Sequence, residues 1–123
     1  AVNTEVTLAI QGGEILCSVI TNGSARVLGL KKGMEAYAFF KASAVILGKD
    51  LHSAKVSARN LLCGTVERIA HGPVNAEVTV VLPGGSVLAA IITEESANRL
   101  ALAKGDHACA LVKASSVILG VDA

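Results

Sequence analysis

A chain of 123 residues with a formal net charge of +1 has no long-range field that would attract a polyanion such as DNA. Hydrophobic residues make up 52% of the chain, mostly Ala, Val, Leu and Ile, whereas aromatic residues make up 2% and Trp is absent. Small aliphatic residues of this kind favour thin, closely packed β layers. No apolar run approaches the ~18 residues of a membrane span, and nothing resembles a signal peptide. We therefore expect neither a nucleic-acid nor a membrane partner.

The chain repeats itself at a fixed offset of 72 residues. The run VNTEVT at residues 2–7 returns as VNAEVT at 74–79, and KASAVILG at 41–48 returns as KASSVILG at 113–120. Because no insertion interrupts this register, the chain is two tandem copies of one module. We assign the first domain to residues 1–48, a polar linker to 49–56 and the second domain to 57–123. Modules of about 60 residues have marginal cores, so we expect the two to pack against each other.

The second copy can be read in chain order. A curved strand over 63–70 ends at the breaker His71-Gly72-Pro73. Residues 74–82 alternate between apolar and polar, as in a half-buried strand. The glycines of 83–85 form a hairpin turn, and the strand returns over 87–92.

A helix then begins at Thr93, which can cap its free amides, and stops at Lys104-Gly105. A strand over 107–112, a polar kink over 113–116 and a short strand over 117–119 follow. The fold is therefore expected to be mostly β. We predict two tandem OB-like five-stranded antiparallel β-barrels, each with one short helix. Subtracting 72 from the numbers of the first strand gives positions before Ala1, so the first copy should lack this strand and expose a sheet edge. Either the sequence is a fragment of a longer chain, or another chain supplies that strand.

The cysteines and histidines indicate no metal site. Cys17, Cys63 and Cys109 are far apart in sequence and show no C-x-x-C pair, so neither a disulfide framework nor a zinc site is expected. We interpret Cys17 and Cys109, which lie in alternating apolar runs, as buried free thiols, and a reducing cytoplasm fits this cysteine usage. The three histidines, His52, His71 and His107, are scattered, and we assign them no role.

Several runs together carry a resemblance to a known family. SARN at 57–60 precedes a Gly-Thr-Val strand, and GPVNAEV at 72–78, ITEES at 92–96 and KASSVI at 113–118 follow in order. This sequence resembles the molbindin (Mop, TOBE-type) domain over the whole second copy and over the first from Ala1 onward. The tandem arrangement resembles the two-domain molbindins of bacteria.

The resemblance implies a cytoplasmic protein that binds molybdate or tungstate, assembled as a homotrimer, with anions held between domains. It implies that one domain supplies Ser57 and Arg59. The neighbouring domain would supply hydroxyls, lysines and turn residues, namely Thr93, Ser96, Lys113, Ala114 and Ser115, or Thr21, Ser24, Lys41 and Ala42. A second kind of site, near the threefold axis, would use Val2, Asn3, Val74 and Asn75, although Ala1 and Thr4 depart from Pro73 and Ala76 of the other copy. Only sites that use Arg59 would be complete.

The same residues also have ordinary structural interpretations. Thr21 and Thr93 could be helix caps and nothing more. Lys41 and Lys113 end apolar strands and could face solvent, although both stand before Ala-Ser. Asn3 and Asn75 could be turn residues.

Three functional classes remain from the sequence. The first is a small-oxyanion binder for molybdenum storage or homeostasis. The second is the sensory part of a molybdate-responsive transcription regulator or transporter ATPase. The third is an OB-type nucleic-acid module, which the single Tyr and two Phe argue against. No nucleophile–base pair or acid pair is evident, so we expect no enzyme, no organic cofactor and no metal cation.

Overall fold

The computed structural model describes residues 2–51 and 53–123, so Ala1 and His52 lie outside the described residues. The chain is mostly β, as predicted. The elements of the first copy are β1 (Asn3–Ala9), β2 (Ile15–Thr21), α1 (Asn22–Leu28), β3 (Tyr37–Phe39), a first 3-10 turn (Ala42–Ala44) and β4 (Ile46–Gly48). Those of the second are β5 (Asn60–His71), β6 (Asn75–Val81), β7 (Val87–Thr93), α2 (Glu94–Arg99), β8 (His107–Val112), a second 3-10 turn (Ala114–Ser116) and β9 (Ile118–Gly120).

The predicted order of elements in the second copy is confirmed, but α2 ends at Arg99 rather than at Lys104-Gly105, and β5 begins at Asn60 rather than at Cys63. The hairpin β6–β7 pairs from Asn75 opposite Thr93 to Val81 opposite Val87. The helix begins directly after Thr93, and the predicted polar kink is the second 3-10 turn. Each of these elements has a local signal, namely alternation, a glycine turn or a capping hydroxyl. Neither α-helix in the described part of the chain is long and apolar enough to cross a membrane.

The two copies exchange their last strands. β4 of the first copy pairs with β8 of the second, and β9 of the second copy pairs with β3 of the first, both antiparallel. The registers match under the 72-residue offset, since Gly48 lies opposite Cys109 and Gly120 opposite Tyr37. Sequence analysis did not predict this exchange, because both strands have the sequence Ile-Leu-Gly and either could pair in either copy.

The exchange builds one large sheet and two small ones. The large sheet has the order β4-β8-β5-β6-β7, whereas β1–β2 and β3–β9 form two-stranded sheets. β5 bridges the large sheet, pairing with β8 through its first half and with β6 through its second, around a β-bulge between Val66 and Arg68. None of the sheets formed by the described residues closes on itself. In the described first copy, β1 pairs only with β2.

A single hydrophobic core joins the two copies. Leu16, Val45 and Leu47 of the first copy belong to the same buried cluster as Val78 and Val80 of the second. The expectation that the copies pack against each other is therefore confirmed. The core is built from branched aliphatic residues, as the composition predicted.

Buried hydrogen bonds also link the copies. Asn60 Nδ2 donates to the Cys17 carbonyl at 2.8 Å, and the Cys17 amide donates to Asn60 Oδ1 at 2.7 Å. Ser18 Oγ donates to the Val117 carbonyl at 2.8 Å. These are the two buried polar side chains of the described residues, and both are satisfied by the other copy.

The two hairpin turns meet backbone to backbone. A Cβ atom added to Gly12 would lie 2.3 Å from Gly84 Cα, and one added to Gly84 would lie 2.3 Å from the Gln11 carbonyl oxygen. The sequence marked these glycines only as turn residues. The structure shows that glycine is also needed here because the copies touch.

The prediction for the cysteines is wrong for two of the three. Cys63 and Cys109 form a disulfide, whereas Cys17 is free and buried as expected. The β5–β8 register places Cys63 directly opposite Cys109. The two cysteines are 46 residues apart in sequence, so no local spacing pattern indicates that they pair.

One position differs between the copies in backbone strain. Ala101 has a left-handed φ of +50°, while the equivalent residue of the first copy is Gly29, with φ +65°. A Cβ atom on Gly29 would meet nothing within 4 Å, so backbone conformation alone separates the two residues.

We expect Ala101→Gly to raise the free energy of unfolding by about 0.5–1 kcal/mol. A residue with a Cβ atom is destabilised by about 1–2 kcal/mol in the left-handed conformation. The greater conformational freedom of glycine in the unfolded state offsets part of this gain. The matched variant Gly29→Ala should lower it by about 1 kcal/mol. Urea titrations of both variants measure this. Shifts in the same direction would contradict the strain argument.

Candidate functional site

The hydroxyl pairs predicted to bind an anion cap the two helices. Thr21 Oγ1 accepts from the Ser24 amide at 3.1 Å and donates to Ser24 Oγ at 2.9 Å. Thr93 repeats this geometry with Ser96, at 3.0 Å and 2.7 Å. The capping interpretation is thus what the structure shows. Thr21 and Thr93 are exposed.

Lys41 and Lys113 each stand at the start of a 3-10 turn. Their carbonyls accept from the Ala44 and Ser116 amides, each at 2.9 Å. Among the described residues neither lysine side chain makes an ion pair, and both are exposed. Each ammonium group is therefore open to a ligand from solvent.

Strand exchange moves each turn onto the opposite copy. The first 3-10 turn, which contains Ala42, packs against β7, the strand that ends at Thr93. The second, which contains Ala114 and Ser115, packs against β2, which ends at Thr21. Sequence analysis had placed the hydroxyls and lysines of one copy on the same side of a site. The turns instead lie between exchanged strands, so each contacts the other copy.

Arg59 and Lys113 occupy adjoining strand ends. β5 begins at Asn60, which lies opposite Val112, the last residue of β8. Arg59 and Lys113 are the next residues on these two antiparallel strands. Ser57 is exposed and lies two residues before Arg59. The fold thus brings together two of the predicted cations, at the end of the sheet that faces β2.

The Arg59 guanidinium already holds a carboxylate. Its Nη1 donates to Glu5 Oε2 at 2.7 Å, and its Nη2 donates to Glu5 Oε1 at 3.0 Å. The hydrogen bonds and the positive charge of Arg59 hold the pKa of Glu5 below its ordinary value, and Glu5 in turn raises the pKa of Arg59. Sequence analysis missed this pair, because 54 residues separate its members and no local pattern links them. Both side chains are about half exposed, so solvent anions reach them.

The Val-Asn segments adjoin the helix starts. Asn3 pairs opposite Thr21, and Asn75 opposite Thr93. Both asparagines are the first residues of strands rather than turn residues. The Val2 carbonyl accepts from the Asn22 amide at 3.0 Å, and the Val74 carbonyl from the Glu94 amide at 2.8 Å. The two predicted kinds of site are therefore neighbours within each copy.

The electrostatic surroundings differ between the two helix starts. Glu94 and Glu95 stand in the first turn of α2, whereas the first turn of α1 carries no acid. His71, to which no role was assigned, has its Nδ1 2.8 Å from Glu94 Oε1. A shallow depression of about 690 Å³ next to these residues includes Arg99. The Thr21 end is thus the less acidic place for an anion.

No metal centre is visible in the part of the chain that the structure describes. Nowhere among these residues do three His, Cys, Asp or Glu side chains converge so that they could hold a metal ion. The candidate ligand groups are instead hydroxyls, cations and backbone amides, which are donors suited to an anion.

Relatives of this chain were found by sequence. The TOBE domain family matches residues 1–47 and 56–119. The molybdenum-pterin-binding protein MopA of Rhodobacter capsulatus is 45% identical over 98% of this chain and 46% of its own length. The molybdenum transport protein ModE of Azotobacter vinelandii is 43% identical over 98% of this chain and 44% of its own length. The chain thus spans about half the length of these relatives.

A solved structure matches almost the whole chain. A crystal structure of the cytoplasmic molybdate-binding protein ModG, with molybdate bound, is 47% identical and covers 99% of this chain and 86% of its own, with a TM-score of 0.95. One family matches both repeats, and the ModG structure aligns with the chain through both of them. The chain belongs to the TOBE domain family, as a tandem pair of its domains.

Proposed function

We propose that the protein binds molybdate, and tungstate with it, at interfaces between its domains and between subunits. The observation that carries the proposal is the placement of Arg59 and Lys113 at adjoining strand ends, in a chain 47% identical to a protein whose structure holds molybdate. The first cluster is defined as Ser57, Arg59, Lys113, Ala114 and Ser115. Its 3-10 turn packs against β2, which ends at Thr21, and Ser24 lies in the helix that follows. The second cluster is defined as Lys41, Ala42, Thr93 and Ser96.

The chemistry of the ligand fits the first cluster. Molybdate is a tetrahedral dianion without a proton to donate, so its site needs donors and few carboxylates. Arginine offers a fork of N–H groups and lysine a point charge. Charge-assisted hydrogen bonds contribute about 1.5–3 kcal/mol each, so a few of them reach the roughly 8 kcal/mol of micromolar affinity after association costs.

Glu5 is expected to compete with the anion. A carboxylate and a molybdate present oxygens to the same guanidinium fork. Binding therefore requires Arg59 either to turn one N–H toward the new ligand or to release Glu5 into solvent. The ion pair is half exposed, so the released carboxylate regains its hydration.

Domain organisation and assembly belong to the same proposal. We infer a first domain at residues 1–48, a linker at 49–56 and a second domain at 57–123, each with an OB-like arrangement of strands to which the other copy contributes one strand. A homotrimer would bury Val2 and Val74, which are 79% and 70% exposed in the single chain. It would also bring the neighbouring Asn3 and Asn75 to a shared axis as a further anion site.

The biological role we favour is molybdenum storage or homeostasis in the cytoplasm. The description of ModG as cytoplasmic and molybdate-binding supports it. A sensory role beside further domains is the second candidate, because the chain matches about half the length of two proteins named ModE. Both roles use the same anion sites and need no catalytic group.

Selectivity is the first test. We expect molybdate and tungstate to bind with comparable affinity and sulfate much more weakly, because sulfate has the same charge but is too small to reach all the donors of the site. Calorimetric titration with each anion measures this. Competition by sulfate at concentrations similar to molybdate would contradict the size argument.

Substitutions of individual lysines test which cluster binds molybdate. We expect Lys113→Ala to weaken molybdate binding by about 1.5–3 kcal/mol, or roughly 10- to 150-fold, through loss of a charge-assisted bond. Lys104→Ala is the matched control, since Lys104 precedes β8 and lies at the opposite end of that strand. Lys41→Ala should affect only a weaker population of sites, because Glu94 and Glu95 stand beside its cluster in the first turn of α2. If Lys113→Ala folds and binds like Lys104→Ala, the first cluster is not the site.

The molar mass in solution tests whether the protein is a trimer. We expect light scattering at micromolar concentration to give three times the 12.5 kDa of one chain, because exposed valines at both Val-Asn segments leave apolar surface to bury. Val74→Lys should shift the mass toward the monomer. A stable monomer in the unmodified protein would refute the trimer.

A further inference from the structure

Asn60 is a buried polar residue that directly follows Arg59 in the chain. Asn60 is 2% exposed, whereas the side chain of Arg59 is 54% exposed. A long, exposed side chain is not oriented by packing and keeps much of its rotamer freedom. The position of the Arg59 backbone therefore decides which groups its guanidinium can reach.

The Asn60 side chain fixes the start of β5 to β2. Its Nδ2 donates to the Cys17 carbonyl at 2.8 Å, and its Oδ1 accepts from the Cys17 amide at 2.7 Å. Among the described strands, β2 pairs only with β1. The Asn60 amide thus makes, at Cys17, the pair of hydrogen bonds that a second neighbouring strand would make.

This clamp and the Glu5–Arg59 ion pair lie at the same place on the hairpin β1–β2. Thr7 lies opposite Cys17, and Glu5 stands two residues before Thr7. Side chains two residues apart on a strand point to the same face, so Glu5 and Cys17 share one face of the hairpin. The pKa of Glu5 is lowered by the hydrogen bond and the charge of Arg59 and, to a smaller extent, by a hydrogen bond with the Cys17 thiol.

We propose that Asn60 is the positioning residue for Arg59: by fixing the start of β5 to the Cys17 backbone, it sets where the Arg59 guanidinium meets an oxyanion. Both polar atoms of the Asn60 side chain are engaged by Cys17, so Asn60 acts through the strand rather than as a ligand. The oxyanion part rests on the proposed function, whereas the placement of Arg59 is measurable without it.

An amide is the side-chain group that fits this role. Cys17 presents one backbone donor and one backbone acceptor, and asparagine offers an acceptor and a donor in return. Asn60→Ser keeps a hydroxyl that is too short to reach both groups, and Asn60→Ala leaves both unpaired in a buried place. Neither substitution adds a charge beside Glu5.

The experiment measures the pKa of the Glu5 carboxyl by NMR titration of the protein without molybdate. We expect this pKa to rise toward its ordinary value in Asn60→Ser and further in Asn60→Ala, because Arg59 no longer meets Glu5 with both N–H groups. Calorimetric titration should show molybdate affinity reduced roughly tenfold in Asn60→Ala, as for the weakening of a charge-assisted hydrogen bond.

Val66→Ala is the matched control for a general loss of stability. Val66 lies later on β5, is 1% exposed and belongs to the hydrophobic core. We expect this variant to lower the melting temperature, because it leaves a cavity, but to leave the Glu5 pKa and the molybdate affinity unchanged.

Several outcomes would overturn the proposal. The first is an unchanged Glu5 pKa in the folded Asn60 variants, and the second is an equal change in Val66→Ala. The third is a raised Glu5 pKa with unchanged affinity in a protein that does bind molybdate. Loss of folding in both Asn60 variants would make Asn60 a folding residue and would refute its positioning role. A raised Glu5 pKa in a protein that binds no molybdate would support the placement of Arg59 and refute the proposed function instead.

Discussion

Each half of the chain completes its sheet with a strand from the other half, and the rest of the structure depends on this exchange. β4 pairs with β8 and β9 with β3, so separating the halves would break both ladders at once. The same geometry merges the two marginal cores into one and presses Gly12 against Gly84. It also carries the 3-10 turns with Lys41 and Lys113 onto the opposite copy. Interfaces that combine groups from both halves are therefore a consequence of the fold.

The 72-residue repeat does not make the two interfaces chemically equal. One joins Arg59 and Lys113 and faces β2, whose following helix begins with Asn22 and Gly23. The other offers Lys41 toward β7, whose following helix begins with Glu94 and Glu95. The first turn of the following helix carries no acid at one interface and two carboxylates at the other. Small substitutions within a preserved backbone have thus made a symmetric fold electrostatically asymmetric.

Sequence patterns predicted the structure wherever the cause is local. Alternation at 74–82, the glycines of the hairpin and the Thr93 cap each act within a few residues, and each element formed as expected. Pairing between distant segments was not predictable. Two identical Ile-Leu-Gly strands contain no information about which partner each takes, and the Cys63–Cys109 disulfide follows from a register set across 46 residues. The Glu5–Arg59 pair was missed for the same reason. The site residues follow from a family resemblance and stay predictions.

The Glu5–Arg59 pair bears on how, in the proposed function, a chain of net charge +1 would hold a dianion. With almost no net field, attraction must come from a few groups at short range, where charge-assisted hydrogen bonds are strongest. The bidentate carboxylate shows that the Arg59 fork is formed and oriented before any ligand arrives. In the proposed function, exchanging an exposed carboxylate for a doubly charged oxyanion would keep the guanidinium bonded and return Glu5 to water. Binding would then depend on the extra donors that the dianion reaches and the carboxylate does not, and Lys113 is the cation at the adjoining strand end.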